Sequence, residues 1–172
     1  MKPLVLLFLG HPSLVIGLLR TSDLTLHGEY RCFADRDELQ SAVDQYIDED
    51  CANDADCEVG SLYGWPINSW CTSQVTDMSR LFSGKDFNED ISDWDVSRVA
   101  DMKHMFRESS FNNDLSNWDT SSVTDLYATF WKAQDFNSDV SRWNTASVTR
   151  MYGTFEHAIS FNIDISKWNV SS

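Results

Sequence analysis

One eight-residue phrase, repeated four times, limits this chain to very few architectures. Phe87-Asn88-Glu89-Asp90-Ile91-Ser92-Asp93-Trp94 returns as Phe111-Asn112-Asn113-Asp114-Leu115-Ser116-Asn117-Trp118 and as Phe136-Asn137-Ser138-Asp139-Val140-Ser141-Arg142-Trp143. It returns again as Phe161-Asn162-Ile163-Asp164-Ile165-Ser166-Lys167-Trp168, so the phrase reads F-N-x-D-[ILV]-S-x-W. A degenerate version, Tyr63 to Trp70, precedes the four. After each Trp, Val75, Val99, Val123 and Val148 fall five residues on. Met78, Met102, Leu126 and Met151 follow at eight, and Phe82, Phe106, Phe130 and Phe155 at twelve. Only one connector varies: Ser83–Asp86 and Arg107–Ser110 have four residues, Trp131–Asp135 and Glu156–Ser160 five. The period is therefore 24 or 25 residues.

A unit this short cannot bury its own apolar face, so the units are expected to stack into an α/β repeat solenoid over residues 70–172. Val, Met and Phe at i, i+3 and i+7 suggest a short helix near Thr76–Ser83. The D-[ILV]-S segment suggests a very short parallel strand. The expected core is Trp70, Met78, Phe82, Phe87, Ile91, Trp94, Val99, Met102, Phe106, Phe111, Leu115, Trp118, Val123, Leu126, Phe130, Phe136, Val140, Trp143, Val148, Met151, Phe155, Phe161, Ile165 and Trp168. Aromatic residues make up 13% of the chain, and buried rings would dominate its stability.

Stacking turns repeated residues into columns. Asn88, Asn112, Asn137 and Asn162 would form an amide ladder that satisfies backbone groups at a bend. Asp90, Asp114, Asp139 and Asp164 would form a carboxylate ladder, in which neighbours 5 Å apart repel by about 3 kcal/mol at an effective dielectric of 20. Capping of backbone N–H groups relieves that repulsion. Calcium is the alternative relief, although one Asp per unit falls well short of the ligands it takes. No other cofactor is implied. Beside the Trp column, Asp93, Asn117, Arg142 and Lys167 on one flank, and Asp95, Asp119, Asn144 and Asn169 on the other, drift from acidic toward neutral or basic.

These residues resemble a known repeat. The signature V-T-D-M-x-x-[ML]-F … F-N-x-D-I-S-x-W-[DN]-[VT]-S is similar to that of BspA-like leucine-rich-repeat surface proteins, also found in mycoplasma lipoproteins. The flank with R-D-E-L-Q-S-A-V-D-Q-Y and Y-G-W-P-I-N-S-W-C is similar to segments of algal secreted proteins. The resemblance implies a leucine-rich-repeat-like solenoid displayed outside the cell, with protein binding or adhesion as its role. It brings no catalytic residue.

Residues 31–69 read as an acidic, cysteine-containing cap with one amphipathic helix from Asp35 to about Asp48. Leu39, Ala42, Val43, Tyr46 and Ile47 form its stripe, and Asp35 with Glu38 resembles a capping box. Cys32, Cys51, Cys57 and Cys71 are even in number and contain no C-x-x-C, which favours two disulfides over a zinc site. Three pairings exist and the sequence does not decide among them; the preferred one closes a short loop between Cys51 and Cys57 and joins Cys32 to Cys71. Residues 1–30 form a leader-like segment: Lys2 precedes an apolar stretch split by His11-Pro12, without an A-x-A-like site. Asn169-Val170-Ser171 is the one N-x-[ST] glycosylation acceptor.

The formal charge of −14 speaks against a nucleic-acid partner. Residues 31–60 hold ten acids and two bases (net −8), and residues 61–172 fifteen acids and nine bases (net −6). His11, His27, His104 and His157 share no motif, and P-loop, HExxH and GxSxG patterns are absent. No run is long enough for a transmembrane helix. The expectation is a secreted or cell-surface, non-enzymatic protein that binds an unidentified protein or surface ligand. The alternatives are a wall or matrix scaffold and, less favoured, a cytosolic one. The chain stops partway through a unit, which suggests further repeats or end-to-end self-association.

Overall fold

The computed structural model describes residues 26–27 and 30–170. The leader reading falls mostly outside them. Two short antiparallel strands, β1 (Leu26–His27) and β2 (Tyr30–Arg31), lead into α1 (Arg36–Asp48). Asp35 caps α1, its Oδ1 accepting the N–H of Glu38 at 3.0 Å, while Glu38 reaches back to the N–H of Ala34 at 2.8 Å. This reciprocal pair is shifted by one residue from the usual capping box, which returns to the cap residue's own N–H. Leu39, Ala42, Val43 and Tyr46 are buried, and Tyr46 meets Trp70 edge-on at 5.6 Å. The stripe of α1 thus closes over the first Trp of the repeat. A second helix, α2 (Glu58–Tyr63), has only six residues and was too short to leave a periodic signal. Disulfides Cys32–Cys71 and Cys51–Cys57 pin this cap, the preferred one of the three pairings.

From Trp70 onward each unit lies against the next. Met78, Arg80, Phe82 and Gly84 donate their N–H groups to the carbonyls of Asp101, Lys103, Met105 and Arg107, at 2.7–3.0 Å. Met102, His104, Phe106 and Glu108 do the same toward Asp125, Tyr127, Thr129 and Trp131. Leu126, Ala128, Phe130 and Lys132 repeat it toward Arg150, Tyr152, Thr154 and Glu156. Between these donors, intervening residues close i→i+3 turns, such as Leu81 N–H to Met78 C=O and Ser83 N–H to Arg80 C=O.

The expected helix over Thr76–Ser83 is therefore a run of turns, and α1 and α2 are the α-helices among the described residues. The reason is a left-handed residue at the same two places in every unit. Arg80, His104, Ala128 and Gly153 have φ between 51° and 68°, and Gly84, Glu108, Lys132 and His157 between 55° and 70°. A left-handed residue breaks the i→i−4 pattern and turns alternate N–H groups outward to the neighbouring unit. The parallel contact between units also lies elsewhere than D-[ILV]-S. Bridges join Asp77, Asp101, Asp125 and Arg150, just before the Met column.

The first unit has carbonyls on the side where no preceding unit exists, and α1 serves them. Arg36 Nε donates to Ser79 C=O at 3.1 Å and Gln40 Nε2 to Leu81 C=O at 3.2 Å. One helical turn separates the two donors, so a single face of α1 takes the place of a neighbouring unit.

Inside, aromatic rings pile along the stack. Phe82, Phe106, Phe130 and Phe155 are nearly parallel at 5.3–5.5 Å, and each also stacks on the Phe of its own phrase at 3.8–4.4 Å. The Trp rings run alongside at 6.1–6.3 Å. Each indole N–H reaches back to the preceding unit: Trp94 to Ile67 C=O, Trp118 to Ile91, Trp143 to Leu115 and Trp168 to Val140, at 2.9–3.2 Å. Met151, Phe155, Phe161 and Ile165 are only partly buried, unlike their counterparts in earlier units, because the last described unit is covered on one side. Leu81, Met105, Val96 and Ala133 are additional core residues that strict column matching overlooks. Thr129 and Thr154 replace Leu81 and Met105 in the later units, their hydroxyls donating to Met102 and Leu126 carbonyls at 3.0 Å.

Trp118→Phe keeps a ring in place but removes the indole N–H bond to the Ile91 carbonyl, which retains the Trp94 N–H, so it is expected to cost about 0.5–1.5 kcal/mol in denaturant unfolding. Gly84→Ala meets nothing within 4 Å, yet φ of +70° makes it destabilising, by about 1 kcal/mol in the same assay.

Candidate binding surface

Three faces of the stack are uniform, and polar ladders occupy them. The side-chain carbonyls of Asn88, Asn112 and Asn137 accept the N–H of Asn112, Asn137 and Asn162 in turn, at 2.7–2.8 Å. This ladder is exposed. Asp90, Asp114, Asp139 and Asp164 each accept the N–H two residues on, from Ser92, Ser116, Ser141 and Ser166, at 2.8–2.9 Å. Two further columns do the same. Asp95, Asp119 and Asn144 take the N–H of Ser97, Ser121 and Ala146 at 3.0–3.1 Å. Asp77, Asp101 and Asp125 take those of Ser79, Lys103 and Tyr127 at 2.7–2.8 Å. Arg150 ends the last column and pairs with Asp125 at 2.8 Å.

These carboxylates are occupied with turns and do not converge on a common point. Among the described residues, the one group of His, Cys, Asp and Glu close enough to share an ion is Glu49 with Cys51 and Cys57. Both of its sulfurs are in the disulfide. On the flanks of the Trp column, Asp93 is tied to Asn68, whose amide donates to it at 3.0 Å. Arg142 and Lys167 are exposed. Asn169 is exposed, and its N–H donates to Thr145 Oγ1 at 2.8 Å; Ser171 of the acceptor motif lies outside the described residues.

The fourth face is different. Apart from the buried Ala128, residues nine, ten, thirteen and fourteen after each Trp point outward from the turn segment, and there the units differ most. Those positions read Ser79, Arg80, Ser83, Gly84; Lys103, His104, Arg107, Glu108; Tyr127, Ala128, Trp131, Lys132; and Tyr152, Gly153, Glu156, His157. The Tyr127 and Tyr152 rings stack at 6.0 Å, and His104 meets Tyr127 edge-on at 5.2 Å. The Arg107 guanidinium lies 4.5 Å, and the Lys132 ammonium 4.2 Å, from the Trp131 ring centre, and Arg150 lies 5.4 Å from that of Tyr127. Together they frame a groove of about 250 Å3 across the second to fourth units, lined by His104, Arg107, Tyr127, Ala128, Trp131, Tyr152, Gly153 and Glu156. Tyr152 is 74% exposed. His104 Nδ1 is buried without a hydrogen-bond partner. Burial first, then the charges of Arg80, Arg107 and Lys103, hold the His104 imidazole below its usual pKa.

The family model described as "Mycoplasma protein of unknown function, DUF285" matches residues 109–172, from within the second unit onward. The match accords with the mycoplasma side of the resemblance and assigns no function. No curated protein and no solved structure matches the chain. Among the described residues, no helix is long and apolar enough to cross a membrane. The two disulfides point to an oxidising, extracellular setting.

The turn aspartates make the fold acid-sensitive. Asp119 and Asp139 are held below the ordinary carboxylate value by the hydroxyl and then the N–H of the serine two residues on. Asp164 is held down by the Ser166 N–H and then its hydroxyl. A pKa lowered in the folded state contributes stability that is present above the unfolded value near 4 and disappears as pH falls through the folded one. The melting temperature is thus expected to fall from about pH 4 downward. Asp119→Asn should blunt that fall while keeping the turn, since Asn144 already makes the same bond.

Proposed function

We propose that this chain is a non-catalytic, secreted or cell-surface repeat protein whose stacked units form a leucine-rich-repeat-like solenoid, and that it binds a protein partner through the turn face. The observation that carries the reading is the concentration of Tyr, Trp, His and Arg on the one face where the units differ. Such residues dominate the energetics of protein interfaces. The faces given over to ladders have little freedom to vary, whereas the turn face can change without disturbing the core. A non-catalytic role is favoured because, among the described residues, no serine, cysteine or carboxylate hydrogen-bonds the His104 ring, and the charges that act on it are cations.

A wall or matrix scaffold is the second reading, favoured by the uniform ladders on the remaining faces. Binding of the labelled chain to cells or matrix of its native source separates the two. Saturable, competable binding that drops about tenfold in an Arg107→Gln, Tyr152→Ser double variant with an unchanged melting temperature supports the module. Self-association in sedimentation, without such binding, supports the scaffold. The mass of the native protein is expected to rise by about four units on reduction, two per disulfide. An unchanged mass would remove the extracellular assignment.

A further inference from the structure

Along the turn segment the hydrogen bonds between units all run one way. Met78, Arg80, Phe82 and Gly84 send their N–H groups toward the following unit, and the carbonyls of Asp101, Lys103, Met105 and Arg107 that receive them point back. The residues between donors close turns within the unit, so one edge of the segment is all donor and the other all acceptor. An ordinary β-strand instead alternates N–H and C=O groups along each edge. At the acceptor end of the stack α1 covers the edge, with Arg36 and Gln40 on the Ser79 and Leu81 carbonyls. At the other end, among the described residues, no acceptor meets the N–H of Met151, Gly153, Phe155 or His157, the counterparts of the donors in the earlier units. The core columns surface at the same place. Met151, Phe155, Phe161 and Ile165 are only partly buried, and Val170 is 71% exposed. A hollow of about 290 Å3 lies there, lined by Met151, Phe155, Ile165, Trp168 and Val170.

We infer that this end of the stack is a docking edge for a unit of the same repeat carried by another chain, one whose acceptor edge is uncovered. The three internal interfaces are its template, since each joins a donor row to an acceptor row in the same way. Such a unit sets four carbonyls on the four N–H groups. Its Phe lies on Phe155 as Phe155 lies on Phe130, at 5.5 Å. Its indole N–H meets the Ile165 carbonyl as that of Trp168 meets Val140, at 3.0 Å. Other occupants match the edge poorly. A second copy of this chain, turned about a two-fold axis, sets donors against donors, and its acceptor edge lies under α1. An ordinary strand brings its own N–H groups against the row, so the polarity also guards the edge against unspecific strand pairing. The edge is backbone at the end of the stack, and what binds the turn face has no bearing on it.

The test is amide hydrogen exchange, followed by NMR on the full labelled chain, with a synthetic peptide of residues 97–143 as the probe. Its two units carry no cap over their acceptor edge. They need not be folded beforehand, because the docking edge supplies the neighbour that a unit requires. Exchange at Met151, Gly153, Phe155 and His157 is expected to slow about tenfold or more as peptide is added. A scrambled peptide, a peptide alternating Val and Thr, and a rise in the chain's own concentration are each expected to leave it unchanged. Val170→Arg sets a charge at the hollow, and is expected to raise the half-saturating peptide concentration about tenfold with the melting temperature unchanged. Absence of slowing at millimolar peptide overturns the inference. So does equal slowing by the Val-Thr peptide or by the chain's own concentration, or an unaltered response of the Val170→Arg variant. Protection of the four N–H groups before any peptide is added overturns it as well, since the edge is then already covered.

Discussion

The structure depends on the N–H groups that pass from each unit to the next along the turn segment. Four residues per unit donate at 2.7–3.0 Å, and the left-handed residues at the tenth and fourteenth positions are themselves among the donors. Non-glycine residues there, such as Arg80, His104 and Lys132, cost roughly 1 kcal/mol or more each. That cost is offset because a buried or half-buried backbone donor left unpaired would cost as much again. The same alternation sets side-chain direction: Met, Phe and their neighbours turn inward, and positions nine, ten, thirteen and fourteen turn out. Core and candidate surface are thus two consequences of one backbone pattern.

Much of the core was legible because stacking repeats the same environment in every unit. The Trp, Val and two Phe columns fall in register in the sequence, and the structure buries them, apart from the partial exposure of Phe155 and Phe161. The cap helix was legible for a different reason, a strong stripe with Asp35 and Glu38 at its start. The turn segment carries a helix-like spacing because inward residues at i, i+3 and i+7 arise equally from one helical face and from turns that alternate handedness. Spacing alone cannot separate the two. What separates them is φ at Arg80 or His104, and no residue type there announces a positive φ as Gly84 and Gly153 do.

The candidate surface was the least legible part, for a reason built into repeat reading. Aligning units rewards positions that recur, and the turn face consists of positions that do not. Tyr127, Trp131 and Tyr152 have no counterparts in the first two units, so each looks like noise until the fold brings them beside His104 and Arg107. The cap's service to the first unit was hidden in the same way. Arg36 and Gln40 lie on the polar side of an amphipathic helix, where a solvated role is the ordinary expectation, yet they take the place of a neighbouring backbone.

The acidity of the repeat now has a structural cause. Nine aspartates in three columns each hold a backbone N–H two residues on, and Asn144 does the same work without charge. Aspartate is suited to that task by its short side chain and strong acceptor oxygens, so a repeat built on such turns gains one negative charge for most turns it closes. The net charge therefore reports how the coil is made more than what it meets. The face that closes no turns with its side chains is free of that bias, and at its positions Arg80, Lys103, Arg107 and Lys132 stand beside Glu108 and Glu156. Charge averaged over the chain therefore says little about what any one face of the stack can meet.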